Sequence, residues 1–317
     1  MGDYITLLKA ASPANKTFTR SSDGTYEKES AAHHSTYEAR VLHVPDVDAI
    51  KSILEKVTED NKSVLVLGYV PELCPKEDID EGSKFYVLSR KQLRKKLGVE
   101  YDKDVSGLHK IDGKYYCTRT IDNFTHSTWV MFDYDVTESM PSQFRFESYE
   151  PWLSSLVDLF GEFERAGSII LPSSSGRITY KGQQINESVG MHAYLQVKDA
   201  TDIQRFSKTL LLKSFIKGYG FHKPTRKRDD SSVIGSRPWT IFDPSTFSPE
   251  RIIFEGRPNV LGDDMSVTKE DIISNPGDKL DTRALPELSK HEKDKVFKNY
   301  GLEITSDKKT NQGFIHL

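Results

Sequence analysis

Cysteine is almost missing from this chain of 317 residues: Cys74 and Cys117 are the only two, and neither belongs to a C-x-x-C or Cys/His cluster. That excludes a cysteine-rich zinc module and argues against a disulfide framework, leaving two free thiols in a reducing compartment. Long apolar runs are missing as well. No stretch approaches the ~20 residues of a membrane span. The start, Met1-Gly2-Asp3-Tyr4, shows neither the basic region nor the apolar core of a secretory signal. Its loose match to a myristoylation pattern is of a kind that chance supplies. A cytoplasmic protein without a membrane partner is expected. Excess charge is also absent, since the formal net charge is −3, so any attraction to nucleic acid must be local. No internal repeat or low-complexity tract is present. With 36% apolar and 29% charged residues, the chain reads as globular and long enough for a substantial core.

Hydrophobic spacing suggests three sections: 1–125, an N-terminal αβ part; 126–262, a more regular core; and 263–317, a helical C-terminal extension. Residues 1–40 are polar and predict a short helix followed by a loop-dominated arm. From Val41 to Tyr69 the rhythm is βαβ-like: a strand over 40–44, a helix from Asp46 to Val57, and an apolar strand over 63–68. Ser89 to Leu97 predicts a short basic helix. In the core section a strand over 129–135 precedes a helix from Pro151 to about Ala166, with proline well placed in the first turn. Strands are expected over 168–172, 190–197 and 239–243, and a short one over 177–181. A helix capped by Asp199 or Thr201 runs to Lys217, where Gly218 and Gly220 stop it. A last helix is expected over 288–300.

The chemistry-bearing residues begin with Asp133 and Asp135, which close the apolar run Trp129-Val130-Met131-Phe132-Asp133-Tyr134-Asp135. Residues i and i+2 of a strand share a face, so both carboxylates project together. Two like charges held that close raise one another's pKa unless a cation neutralises them, and hard oxygen ligands suit Mg²⁺ or Mn²⁺. An acidic pair at an exposed strand end is equally ordinary. In Gly190-Met191-His192-Ala193-Tyr194-Leu195-Gln196-Val197 the apolar alternates face a core, and His192 points to a polar face, either solvent or a site. Asp243, before Pro244, offers a third carboxylate or a plain turn opener. Ser173-Ser174-Ser175-Gly176-Arg177 forms a small-residue turn whose amides and hydroxyls suit phosphate, or a solvated hairpin. Finally, Arg205, Lys208, Lys213, Lys217, Lys223, Arg226, Lys227 and Arg228 follow one another with no acid among them through residue 228. Such a run fits a surface tracking a phosphate backbone, with Tyr219, Phe221 and His222 beside it to stack on bases, or simply a solvated face.

Taken in order, Phe132-Asp133-Tyr134-Asp135, then Gly190-Met191-His192, then Phe242-Asp243, the chain resembles the archaeo-eukaryotic primase (primase-polymerase) superfamily. Ser173 to Gly176 and the segment 240–256 look like the corresponding regions of phage and plasmid members. The resemblance covers roughly residues 119–260. It implies an α+β fold: an RRM-like antiparallel sheet flanked by helices as catalytic core, with an N-terminal αβ unit and a helical C-terminal piece. It implies a template-directed nucleotidyltransferase that makes or extends primers on single-stranded DNA. Asp133, Asp135 and Asp243 would bind catalytic Mg²⁺ or Mn²⁺, and His192 would contact the triphosphate. Ser175, Arg177, Lys181 and Arg251 are further candidates for phosphate contacts, and Lys213, Lys217, Lys223, Arg226, Lys227 and Arg228 for DNA. Nucleoside triphosphates, a DNA template and a replicative helicase are the implied partners, in a host cytoplasm if the gene is a phage's. The second motif carries glycine where the family carries serine. The zinc module of several cellular primases is absent, which points to mobile-element relatives. Two other classes share part of the pattern: a metal-dependent glycosyltransferase, which also uses D-x-D, and a non-catalytic replication-initiator module that binds DNA.

Overall fold

The computed structural model describes residues 2–21, 26–29, 36–75, 84–137, 139–185, 190–227, 232–269, 271–300, 303–306 and 313–316. The protein is mixed α+β, and two sheets carry its architecture. The first has seven strands in the order Ile252–Ile253, Ser63–Val66, Tyr4–Lys9, Thr36–His43, Phe85–Leu88, Lys114–Thr118, His109–Ile111. Tyr4–Lys9 runs antiparallel to both neighbours, so Thr36–His43 and Ser63–Val66 are parallel to each other. Helix α1 (Val47–Val57) joins them, capped by Asp46, whose carboxylate accepts from the Ala49 amide.

The expected N-terminal helix is therefore a strand. Tyr4-Ile5-Thr6-Leu7-Leu8 is rich in aromatic and β-branched residues, and pairing on both sides buries Ile5 and Leu8 completely. A second basic helix, α2 (Arg90–Leu97), starts at the Ser89 cap and ends at Gly98 in the left-handed region (φ 68°).

The second sheet is antiparallel throughout, in the order Ile273–Asn275, Ser168–Pro172, Met191–Gln196, Trp129–Tyr134. Helix α3 (Tyr149–Leu159) connects Trp129–Tyr134 to Ser168–Pro172. It stops short of the expected Ala166, because Phe160 turns extended and packs on Phe163 and Phe206; a 3-10 turn over Gly161–Glu164 follows. Helix α4 (Ile203–Ile216) leaves Met191–Gln196 through the Asp199 cap and ends at Gly218 (φ 84°). The strand expected over 239–243 lies earlier: Val233–Trp239 forms a hairpin with Phe221–Arg226. Thr240 to Asp243 instead bends over the second sheet, the Asp243 amide bonding to the Asp133 carbonyl.

Three cores result. The middle one joins the sheets: Ile50, Leu54 and Val57 of α1 share it with Ile5 and Leu65 of the first sheet and with Trp129, Met131, Ile169, Leu171 and Tyr194 of the second. The second sheet's other face packs under α3 and α4 through Phe132, Trp152, Leu156, Phe206 and Leu210. Pairings also link the sections read from the sequence. Ile252–Ile253 extends the first sheet, Asn259–Leu261 pairs with Thr17–Arg20, and Ile273–Asn275 borders the second sheet. The 263–317 section holds helix α5 (Lys290–Tyr300), packed on α4 through Val296, and also four short strands. No helix among the described residues is long and apolar enough to cross a membrane.

Candidate active site

The aspartate and histidine strands are neighbours, and their register sets Asp133 directly opposite His192 and Met131 opposite Tyr194. Cross-strand partners share a face. Met191, Ala193 and Leu195 face the α3–α4 core, as the alternation predicts. The opposite face is not solvent. His192 (7% exposed), Tyr194 (0%) and Gln196 (5%) lie under the layer that joins the two sheets.

Burial of an ionisable ring demands partners, and these come from both sheets. Beyond Ile252–Ile253, at the border of the first sheet, the chain turns and sets Glu255 (0% exposed) against His192, with Nδ1 to Oε1 at 2.5 Å. The Tyr194 hydroxyl donates to the same oxygen at 2.5 Å. On the other side His192 Nε2 stands 3.2 Å from Asp133 Oδ1. That contact is an ion pair, and Oδ1 is buried with no hydrogen bond among the described residues. Burial works against a charged imidazole, but the Glu255 and Asp133 carboxylates outweigh it and raise His192 well above its ordinary value. Burial likewise opposes ionisation of Glu255 and Asp133, and the His192 charge overcomes it, holding both below the usual carboxylate range.

Asp135 follows the strand end and keeps an exposed surface in a recess, the cleft, whose walls take away part of its water. Loss of surrounding water and the adjacent Asp133 charge raise its carboxyl, against the pull of Lys16, His192 and Lys28. A methyl group at Gly190 would fall 2.6 Å from Ser173 Oγ and 3.0 Å from Asp135 Oδ1. Any larger residue would force Ser173 or Asp135 to shift, and the Ser173 hydroxyl occupies the space beside Gly190. Gly190 thus stands next to a serine from the neighbouring strand end.

Cations surround the acids. Lys16 and Arg251 lower Asp133, Lys16 and Lys28 act on Asp135, and Lys223 interacts with Asp135, Asp243 and Asp133 together. Asp243 is brought beside Asp133 through the backbone (N to O 2.9 Å), while its carboxylate accepts from the Ser245 amide and caps a 3-10 turn.

Of the other predicted residues, Arg251 stands at this cleft. Arg177 is buried and donates to the carbonyls of Glu255 (3.0 Å) and Gly256 (3.4 Å), bracing the loop behind His192. Lys181 sits in a turn near Asp264 (3.9 Å). The backbone of Ser175 belongs to the 3-10 turn after Ser168–Pro172.

The acid-free basic run does not form one surface. Arg205 pairs with Asp202 and binds the carbonyls of Thr282 and Leu285. Lys217 pairs with Asp158 at 3.0 Å, and Lys213 lies near the same two residues. Lys223 packs on the Trp239 ring at 4.5 Å, toward the acids. Arg226 and Lys227 continue along and past the Phe221–Arg226 strand, and Arg228 lies outside the described residues. Lys208 turns instead into a groove of about 580 Å³, which Arg119, Arg237, Asp243 and Arg251 also line. That groove adjoins the cleft at Asp243 and Arg251, and Asp133, Asp135 and His192 lie outside it.

Sequence reasoning missed Glu255, Lys16 and Lys28; it placed Ser173 in a small-residue turn without its contact to Gly190. Glu255 had a faint signal, a lone acid ending the run Ile252-Ile253-Phe254; Lys16 and Lys28 had none, being ordinary lysines in a polar arm. No cluster of three or more His, Cys, Asp or Glu side chains at metal-binding distance occurs among the described residues. The acidic pair still fits a hard divalent cation. Among the described residues Asp133 Oδ1 lacks a hydrogen bond, burial and the Asp133 charge raise Asp135, and Mg²⁺ is commonly held by one or two carboxylates with water and phosphate oxygens completing its shell. No family model matches this chain, and no curated protein or solved structure matched it either.

Proposed function

We propose that this protein is a template-directed nucleotidyltransferase of the primase-polymerase type, synthesising or extending primers on single-stranded DNA with Mg²⁺ or Mn²⁺. One observation carries the reading: Asp133 faces His192 in register, Asp135 follows one step beyond the strand end, and Lys16, Lys28, Lys223 and Arg251 surround them. Paired acids beside several cations suit a metal-bound triphosphate, whose charge needs both. The order of the second sheet supports an RRM-like core. Its first two strands are parallel, joined by α3, with the third antiparallel between them, a split βαβ arrangement; the fourth strand borders the second.

Asp133 and Asp135 would hold the cation, with Asp243 next to them. When bound, such an ion neutralises charge on the transferring phosphate and lowers the pKa of an attacking hydroxyl. The protein's own contribution is positioning and electrostatics. His192, held charged between two carboxylates, offers a fixed donor to the triphosphate, and Lys16, Lys28 and Arg251 offset its remaining charge. Lys223, Lys208 and Arg237, along the cleft and the adjoining groove, provide a cationic path for a template strand.

The test incubates the protein with Mn²⁺, a single-stranded template and labelled ribo- or deoxynucleotides. Product whose sequence follows the template is expected. Turnover of a nucleotide sugar without such product would assign a glycosyltransferase instead. DNA binding with no incorporation in any divalent metal would leave only an initiator module.

A further inference from the structure

We propose that Glu255 is a positioning residue that orients His192 toward the nucleotide, coupling the border of the first sheet to the reaction site on the second. This rests on the reading of His192 as a triphosphate contact. Glu255 is fully buried, so it has no direct route to substrate. Its Oε1 receives two donors from one face of the histidine strand, His192 Nδ1 and the Tyr194 hydroxyl, each at 2.5 Å. Engagement of Nδ1 fixes the plane of the ring and leaves Nε2 as the nitrogen presented beside Asp133.

The anchor itself is rigid. Arg177 grips the carbonyls of Glu255 and Gly256. At Gly256 the backbone approaches Asn15, Asp60 and Ser63 so closely that an added methyl group would fall 2.1 Å from Asn15 Nδ2 and 2.6 Å from the carbonyls of Asp60 and Ser63. The carboxylate therefore enters from a strand end that three other segments hold in place. A residue needed only for burial would not require a charge here, where its second oxygen, Oε2, has no hydrogen bond among the described residues.

The experiment compares wild type with Glu255→Leu, Glu255→Gln and Glu255→Asp, each alone and with His192→Ala. Nucleotide KM and kcat are measured on a single-stranded template with Mn²⁺, and the ring proton on His192 Nδ1 is observed by ¹⁵N-edited NMR. Glu255→Leu is expected to abolish that proton signal and raise KM about tenfold while kcat changes by less than about threefold, the scale on which residues orienting a histidine act. Glu255→Gln, which keeps an acceptor, restores most of the KM. Added to His192→Ala, none of the three has a further effect on KM. Should Glu255→Leu not fold, Glu255→Asp serves, since it withdraws the carboxylate by one methylene. An unchanged KM in a folded variant, or losses that add to those of His192→Ala, overturns the proposal. If wild type incorporates no nucleotide, the polymerase reading fails separately. The Nδ1 proton then decides the role of Glu255: its presence in wild type and loss in Glu255→Leu sustains the orientation, and its absence from wild type refutes it.

Discussion

In the first sheet Tyr4–Lys9 runs antiparallel between Thr36–His43 and Ser63–Val66, which α1 connects. In the second, Met191–Gln196 runs antiparallel between Trp129–Tyr134 and Ser168–Pro172, which α3 connects. The same topological device is used twice. On the central strand of the first sheet, Thr6 pairs with Val41 and Val66, and its hydroxyl satisfies the Gly68 carbonyl. On the central strand of the second, His192 pairs with Asp133 and Leu171 and is held by two carboxylates. A neutral hydroxyl closes a structure, whereas an ionised ring needs counter-charges, and one of these is borrowed from the other sheet. Topology alone does not make a site; the side chains placed on it do.

The largest expected effect contrasts the two central regions directly. Asp133→Ala or Asp135→Ala should lower nucleotide incorporation by at least about a hundredfold, the scale for losing a preorganised electrostatic group, with DNA binding retained. Thr6→Ala should leave incorporation unchanged and lower stability by about 1–3 kcal/mol, because a buried carbonyl loses its donor. Full activity in a double aspartate variant would break the contrast.

His192→Ala should raise nucleotide KM more than it lowers kcat. It also strands the buried Glu255 charge, so urea unfolding should show a loss of about 3–5 kcal/mol. Gly190→Ala is expected to be milder, costing about 1–3 kcal/mol through overpacking against Ser173 and reducing activity by displacing Asp135. A variant as stable and active as wild type would show that the cleft has room there.

A smaller effect concerns acid. The Thr201 hydroxyl and Arg283 hold Asp199 down to about 2. Its folded pKa is depressed, so its contribution is present above the ordinary Asp range and is lost as pH falls toward 2. Asp199→Asn, which lacks that contribution at every pH, should show a flatter fall of thermal midpoint between about pH 4 and pH 2. The smallest effect is chemical. Burial pushes the Cys117 thiol up to about 12 and raises Cys74 as well. A thiol reagent at pH 8 should leave Cys117 unlabelled in the native protein and modify Cys74 only slowly.

Much of the second sheet was legible because its strands alternate or run apolar over four or more residues, as in Trp129–Tyr134 and Ser168–Pro172. The helix starts at Asp46, Ser89 and Asp199 were readable for the same local reason: a short polar side chain before a helical pattern. Tyr4–Lys9 was not, since its surroundings are polar and only pairing on both sides makes it a central strand. The hairpin Phe221–Arg226 with Val233–Trp239 escaped because Pro224 and Pro238 disguise a ribbon that pairs with no third strand among the described residues. The basic run misled for a different reason. Residues adjacent in sequence alternate around a helix and a strand, so Lys208, Lys217 and Lys223 face three different surroundings.

The sequence by itself determined the acidic pair, the histidine strand and their spacing, because strand periodicity is a local property that needs no knowledge of the fold. Only the tertiary structure decided that Asp133 and His192 are cross-strand partners. It alone decided that the histidine's polar face is buried, and that Glu255, 63 residues further along the chain, is its second partner. Those outcomes depend on long-range packing of two sheets around α1, and on the rule that a charge removed from water must find compensation wherever the fold can bring it.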